Sequence, residues 1–178
     1  MAKRSQTETA VLGALSVEAM SGYALRAAIT GTLGHFWRES FGQIYPALAR
    51  AEADGYVRRV ASGMTSGSVF ELTGSGDERL RALLLEPDEP TPPRNGLLLR
   101  LFFGRSLGVR ACVSLLRDVE VRASEALLRY EDVRAELAAE DDPGAPFRML
   151  TVTYGIAVAR AQRDWARESI TVLGEARD

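Results

Sequence analysis

The side chains best equipped for catalysis are few and scattered. His35 is the one histidine and Cys112 the one cysteine among 178 residues. A lone cysteine allows no internal disulfide, and neither a zinc finger nor a thiol-bound iron-sulfur site can be built within one chain. Cys112 also falls on an apolar helical stripe, and no glycine motif that cradles phosphate follows a strand. The adjacent acids Glu131-Asp132 and Asp141-Asp142 offer a metal or acid-base pair only formally, since neighbouring acids near helix ends are ordinarily solvated charge. We therefore expect no enzyme, no cofactor and no metal. A different chemistry is available between residues 38 and 67. Gln43 carries an amide that donates and accepts together, the geometry that reads an adenine edge. Ser40, Tyr45 and a helix N-terminus suit phosphate oxygens. Arg38, Arg50, Arg58 and Arg59 lie close by in sequence, with Thr65, Ser66 and Gly67 in a flexible stretch beyond. Each has a plainer reading: Ser40 as a helix cap, Tyr45 as packing on a neighbouring helix, the arginines as solvated charge.

These residues need a scaffold, and the hydrophobic pattern supplies one. Ala10, Val11, Leu12 and Leu15 recur at helical spacing between Thr7 and Leu15, and Ser21 can cap a second helix bearing Tyr23, Leu25 and Ile29. Ser40 begins a third helix reaching Asp54, in which Ile44, Leu48 and Ala51 form one buried stripe and Pro46 makes the start irregular. Gly55 stops it. Two β-prone runs, Tyr56 to Val60 and Ser68 to Leu72, flank the glycine-containing tip Ala61 to Gly67 and predict a hairpin. Thr73 caps a fourth helix containing Arg79 to Leu85. Three helices, a hairpin and a helix is the order of a winged helix-turn-helix, whose third helix enters the major groove.

Within that frame, Met20-Ser-Gly-Tyr23, Phe41-Gly-Gln-Ile-Tyr-Pro-Ala-Leu48 and Ala51-Glu-Ala-Asp-Gly55 resemble PadR-type regulators. The similarity continues through Phe70-Glu-Leu-Thr73, Gly76 and Leu97-Leu-Leu-Arg-Leu-Phe-Phe103. Ala51 departs from the larger aliphatic residue common in the family, and Glu71 from a basic or polar one. The resemblance implies a homodimeric regulator, usually a repressor, that binds a palindromic double-stranded DNA operator and is released by a small molecule or another signal.

The remaining sequence bears on organisation. Four prolines between Pro87 and Pro93 mark residues 86–95 as a linker, dividing a winged helix-turn-helix domain, 1–88, from a helical dimerisation domain, 96–178. The expected fold class is thus mainly α with a small β-hairpin. From Val109 onward Cys112, Val113, Leu116, Val119, Ala123, Ala126, Leu127, Tyr130, Val133 and Leu137 form a sustained apolar seam. A last helix, from about Phe147 to Ala176, carries Leu150, Tyr154, Ala157, Ala161 and Trp165, with Val152, Ile156 and Val158 on its other sides. Helices apolar around so much of their circumference call for a second copy. Trp37, Phe102, Phe103, Tyr154 and Trp165 are the large aromatics that could line a pocket for a flat, apolar effector, although core packing is their commoner role. No signal peptide or membrane-spanning run is evident, so a cytoplasmic protein without membrane contact is expected. Charge argues the other way on DNA: the formal net charge is -2, and the first half carries an acidic excess of its own. A winged helix that binds another protein is the alternative.

Overall fold

A computed structural model describes residues 2–33, 37, 41–63, 67–87 and 95–175. The chain forms two compact units, Met1–Thr91 and Pro92–Asp178. In the first, α1 runs from Ala2 to Val17, longer than the expected Thr7 to Leu15. Its Val11, Leu12 and Leu15 are buried where it packs on the third and fourth helices. Ser21 caps α2 (Gly22–Ala28) as expected, its hydroxyl accepting from the Ala24 amide at 3.2 Å. Leu25 and Ile29 point inward. Tyr23 does not: two residues before Leu25 it lies roughly 200° around the helix axis and is 76% exposed. A π-helical turn, Ile29–Leu33, follows.

Helix α3 spans Phe41–Ala53. Ile44, Ala47, Leu48 and Ala51 bury at spacings of three, one and three, the single inward stripe that the pattern predicts. Pro46 sits inside this helix, where it lacks the amide that would bond to Gly42. Both residues are exposed. The helix ends in a paired cap: the Tyr56 amide donates to the Ala51 carbonyl at 2.9 Å and the Gly55 amide to the Glu52 carbonyl at 3.1 Å. Gly55 adopts φ +77° there, a conformation that costs glycine little and other residues more.

Strands β2 (Val57–Gly63) and β3 (Gly67–Leu72) make the hairpin. They pair from Val57 and Leu72 out to Gly63 and Gly67, with a bulge between Arg59 and Ala61, so the strands reach further into the expected tip than the β-prone runs indicate. A third strand, β1 (Met20–Ser21), pairs with Phe70 and Val69 and gives the order β1-β3-β2. Two residues carry no alternation to read, which is why the pattern does not disclose it. Thr73 caps α4 (Gly74–Leu85), its hydroxyl accepting from the Gly76 amide at 3.1 Å. Arg79 of α4 grips Glu8 of α1 through two hydrogen bonds of 2.9 and 3.1 Å, and the bond to Glu8 holds this guanidinium above its ordinary pKa.

In the second unit, Asn95 caps α5 (Gly96–Phe102), accepting from the Leu97 and Leu98 amides at 3.0 and 3.1 Å. A single turn, α6 (Gly104–Leu107), leads into α7 (Val109–Ala139), which packs along α8 (Ala145–Glu175). The α7 seam forms: Cys112, Leu116, Val119, Ala123 and Leu137 are buried, and Leu127, Tyr130 and Val133 pack around Val152 and Ile156 of α8. Val152, Gly155, Ile156, Ala159 and Ala166 are the buried residues along α8. The stripe of Leu150, Tyr154, Ala157, Ala161 and Trp165 is instead exposed. Within the described residues no helix is long and apolar enough to cross a membrane.

The turn between α7 and α8 is closed by Asp142, which accepts from the Gly144 amide at 3.0 Å and from Arg148 at 2.5 Å. Arg148 also pairs with Glu140. The Gly144 amide first, and then Arg148, hold the Asp142 carboxyl below the usual carboxylate range.

Two measurements test this account. A Cβ at Gly76 would stand 2.0 Å from the Tyr56 carbonyl oxygen and 2.8 Å from Leu72 Cδ1. Gly76→Ala should therefore destabilise the first unit by about 3 kcal/mol, seen as a lowered urea midpoint. A depressed native pKa contributes stability above the ordinary carboxylate pKa that disappears as pH falls through the native value. Asp142→Asn should accordingly lower the melting temperature of the protein at neutral pH, and the gap to wild type should close in acid.

Candidate nucleic-acid interface

The buried stripe of α3 dictates what its other side can do. With Ile44, Ala47, Leu48 and Ala51 turned inward, Gln43, Tyr45, Pro46, Ala49 and Arg50 are left exposed. Gln43, Pro46 and Arg50 fall at spacings of three and four and share one face. A polar amide and a guanidinium are thereby presented on a rigid element. Tyr45 lies on the flank toward α2. Its ring passes so close to Gly22 that a Cβ there would come within 3.1 Å of Cε1, yet 45% of the residue remains exposed. Packing and presentation are both served.

Between this flank, the start of α2 and the hairpin lies a groove of about 380 Å³, lined among others by Tyr23, Tyr45, Glu52, Arg59 and Ser68. Tyr23 and Ser68 were not candidates from the sequence. Tyr23 reads as a core residue by its apolar ring, and only the position of Leu25 and Ile29 shows that it must face out. Arg58 and Arg59 are adjacent in β2, so they project to opposite faces of the hairpin. Arg59 points to the α3 side, donating to both carboxylate oxygens of Glu52 at 3.2 Å with its guanidinium 5.3 Å from the Phe70 ring centroid. Arg58 lies on the other face and pairs with its cross-strand neighbour Glu71. These two candidates, adjacent in sequence, are separated by the sheet. Arg50 forms no ion pair among the described residues. Gly67 opens β3 opposite Gly63. Arg38, Ser40, Thr65 and Ser66 lie outside the described residues, as does His35.

The aromatics offered as one effector pocket do not share a place. Trp37 packs against the core of the first unit. Phe102 and Phe103 meet edge to face at 5.1 Å and are both exposed. Tyr154 lies on the outward stripe of α8. Trp165 does line a cavity, one of about 660 Å³ in the second unit, with Leu101, Cys112, Leu116 and Val172 as apolar walls and Arg105 and Glu168 as charged ones. Cys112 is buried there, its thiol 3.7 Å from the Gly104 carbonyl oxygen. Among the described residues no group of three or more histidine, cysteine, aspartate or glutamate side chains is placed to hold a metal ion.

Comparison with known proteins gives this geometry a lineage. Residues 11–82 match the transcriptional regulator PadR-like family, and residues 93–174 match the virulence activator alpha C-terminal family. The chain is 31% identical over 104 residues to a Mycobacterium tuberculosis protein named "Probable transcriptional regulator Rv1176c", covering 57% of this chain and 55% of that one. It is 28% identical over 114 residues to the negative transcriptional regulator PadR of Bacillus subtilis, covering 61% and 62%. The match thus spans less than two thirds of either relative's length. Among solved structures, the PadR-like regulator BC1756 of Bacillus cereus superposes with a TM-score of 0.80 at 22% identity over 97% of this chain and 99% of that one. Bacillus subtilis PadR has been solved with operator DNA, at a TM-score of 0.80, 22% identity and 93% and 98% coverage. It has also been solved with p-coumaric acid, at 0.78, 22% and 94% and 98%. At such identity these structures establish the fold, a winged helix followed by long C-terminal helices. A family model over residues 11–82, the motif from Phe41 to Gly55 within it and a shared fold along nearly the whole chain carry one conclusion: residues 11–82 match the PadR-like family of transcriptional regulators, and the chain has the fold of the PadR-like proteins on which it superposes.

Proposed function

We propose that this protein is a homodimeric, DNA-binding repressor, acting in the cytoplasm without a catalytic step, that is released from a palindromic operator by a small apolar or aromatic effector. The observation that carries it is the division of α3 into a fully buried apolar stripe and an exposed face bearing Gln43 and Arg50. In this reading α3 lies in the major groove, and Gln43 reads a base through its amide. Tyr23, Tyr45 and Arg59 line the groove beside it and take phosphate oxygens, which set register and orientation without reading sequence. The name of Bacillus subtilis PadR as a negative regulator, and its structures with operator and with p-coumaric acid, support repression relieved by a ligand. The cavity beside Trp165 is the space in the second unit suited to an apolar effector.

Dimerisation rests on α8. Leu150 and Tyr154 are 69% and 67% exposed, and Phe147 and Val158 continue the same side. A contiguous apolar strip of this length is rare on a monomer. A two-fold axis lets one such strip cover its own copy, and it also demands half-sites one DNA turn, or a multiple, apart. A winged helix that binds another protein is the second reading, favoured by the carboxylates that occupy Arg58 and Arg59.

Two experiments decide. In fluorescence anisotropy with a palindromic duplex from DNA flanking the gene, Gln43→Ala should weaken operator binding about tenfold or more while leaving a scrambled duplex unaffected. Arg59→Ala should weaken both duplexes alike. Failure of the wild type to bind any duplex at low salt would favour the protein-binding reading. By light scattering, the double variant Leu150→Asp, Tyr154→Asp should be monomeric and retain its helical circular dichroism; a persistent dimer would place the interface elsewhere.

A further inference from the structure

Two carboxylates occupy the arginines of the wing in the free protein. Glu52, on the last turn of α3, accepts from Arg59 Nε and a terminal nitrogen, both at 3.2 Å. Glu71, on β3, pairs with Arg58 across the hairpin. Both guanidinium side chains remain accessible, 50% and 69% exposed, so neither pair is sealed from a competing anion. Glu52 also lines the groove that holds Tyr23, Tyr45 and Ser68. It is therefore a built-in anion at the place where a backbone phosphate would meet Arg59. Burial is not what keeps these pairs together, and an exposed pair of this kind adds little to stability. Their consequence falls on the partner.

Resting on the DNA-binding reading above, we infer that Glu52 and Glu71 set the strength of DNA binding: they hold down the sequence-independent part of the affinity by neutralising Arg59 and Arg58. Binding to arbitrary sequence draws nearly all its free energy from phosphates neutralised and counterions released. A guanidinium already matched to a carboxylate releases no counterion when a phosphate arrives, and the carboxylate repels that phosphate. Operator and arbitrary DNA share this phosphate term and are weakened by the same factor, while the base contacts of the Gln43 face decide between them. Arg50, which has no ion pair among the described residues, remains available on that face. The acidic excess of the first half of the chain has, in these two residues, a specific task.

The test uses the full-length protein and a short mixed-sequence duplex, titrated across a salt series alongside the operator duplex. Glu52→Gln and Glu71→Gln should each raise affinity for the mixed-sequence duplex about three- to tenfold, and each should steepen the slope of log affinity against log salt by about one unit. The gain should be the same factor on the operator duplex, leaving the ratio of operator to mixed-sequence affinity unchanged. The gain of Glu52→Gln should vanish in the double variant Glu52→Gln, Arg59→Ala, and that of Glu71→Gln in Glu71→Gln, Arg58→Ala. Because the two carboxylates sit on different elements, one variant still decides if the other fails to fold by circular dichroism. Operator binding that persists with no gain on mixed-sequence DNA overturns this inference alone. A loss of affinity in Glu52→Gln also overturns it, making Glu52 a support that positions Arg59. Absence of binding to every duplex by the wild type overturns the DNA-binding reading and this inference with it.

Discussion

Two neighbouring carbonyls, those of Gly55 and Tyr56, hold the first unit in register. The Gly55 oxygen accepts from the hydroxyls of Thr73 and Ser75 at 2.8 and 3.1 Å, and the Tyr56 oxygen accepts from the Thr73 amide at 3.0 Å. Residues 55 and 56 are where α3 stops and the hairpin starts, while residue 73 is where the hairpin stops and α4 starts. One small knot therefore fixes three elements, and Gly76 must lack a side chain because the Tyr56 carbonyl occupies the space. The groove between α3 and the hairpin inherits its width from this point. If the knot loosened, Glu52 and Arg59 would part, and the exposed face of α3 would lose its alignment with the wing.

Much of this was legible in advance, for reasons that differ by element. The inward stripe of α3 follows from Ile44, Leu48 and Ala51 because a helix converts spacing directly into facing. Ser21, Gly55 and Thr73 were readable because caps depend on local backbone chemistry and little else. Other features needed tertiary information. Tyr23 was misplaced because a tyrosine between apolar neighbours can lie on either side until the helix axis is known. The Met20–Ser21 strand exists only because Phe70 and Val69 come to meet it. Alternation along β2 sends Arg58 and Arg59 to opposite faces, so that nearness in sequence does not place them at one surface. On α8 both stripes were visible, and the sequence could not rank them. Gly155, whose missing side chain admits the ring of Tyr130, settles which one faces α7.

The charge of the first unit is easier to understand in its structure than in its composition. Arginines at 58, 59 and 79 each have a carboxylate partner within the unit, but the pairs differ in kind. Arg79 and Glu8 tie two helices together and are partly covered. The two pairs of the hairpin are open to solvent, where water and salt compete with them. Counting charges treats all three alike. Position separates a structural strut from contacts that another anion can challenge.

Helix α8 carries apolar residues on two sides, Val152, Ile156 and Ala159 toward α7 and Phe147, Leu150 and Tyr154 outward. Such a helix offers few positions where a polar substitution leaves both stripes intact. Its freedom is confined to the narrow polar edges between the stripes, at positions such as Arg160 and Gln162. The cost of a substitution along α8 therefore follows the helix period rather than its place in the chain.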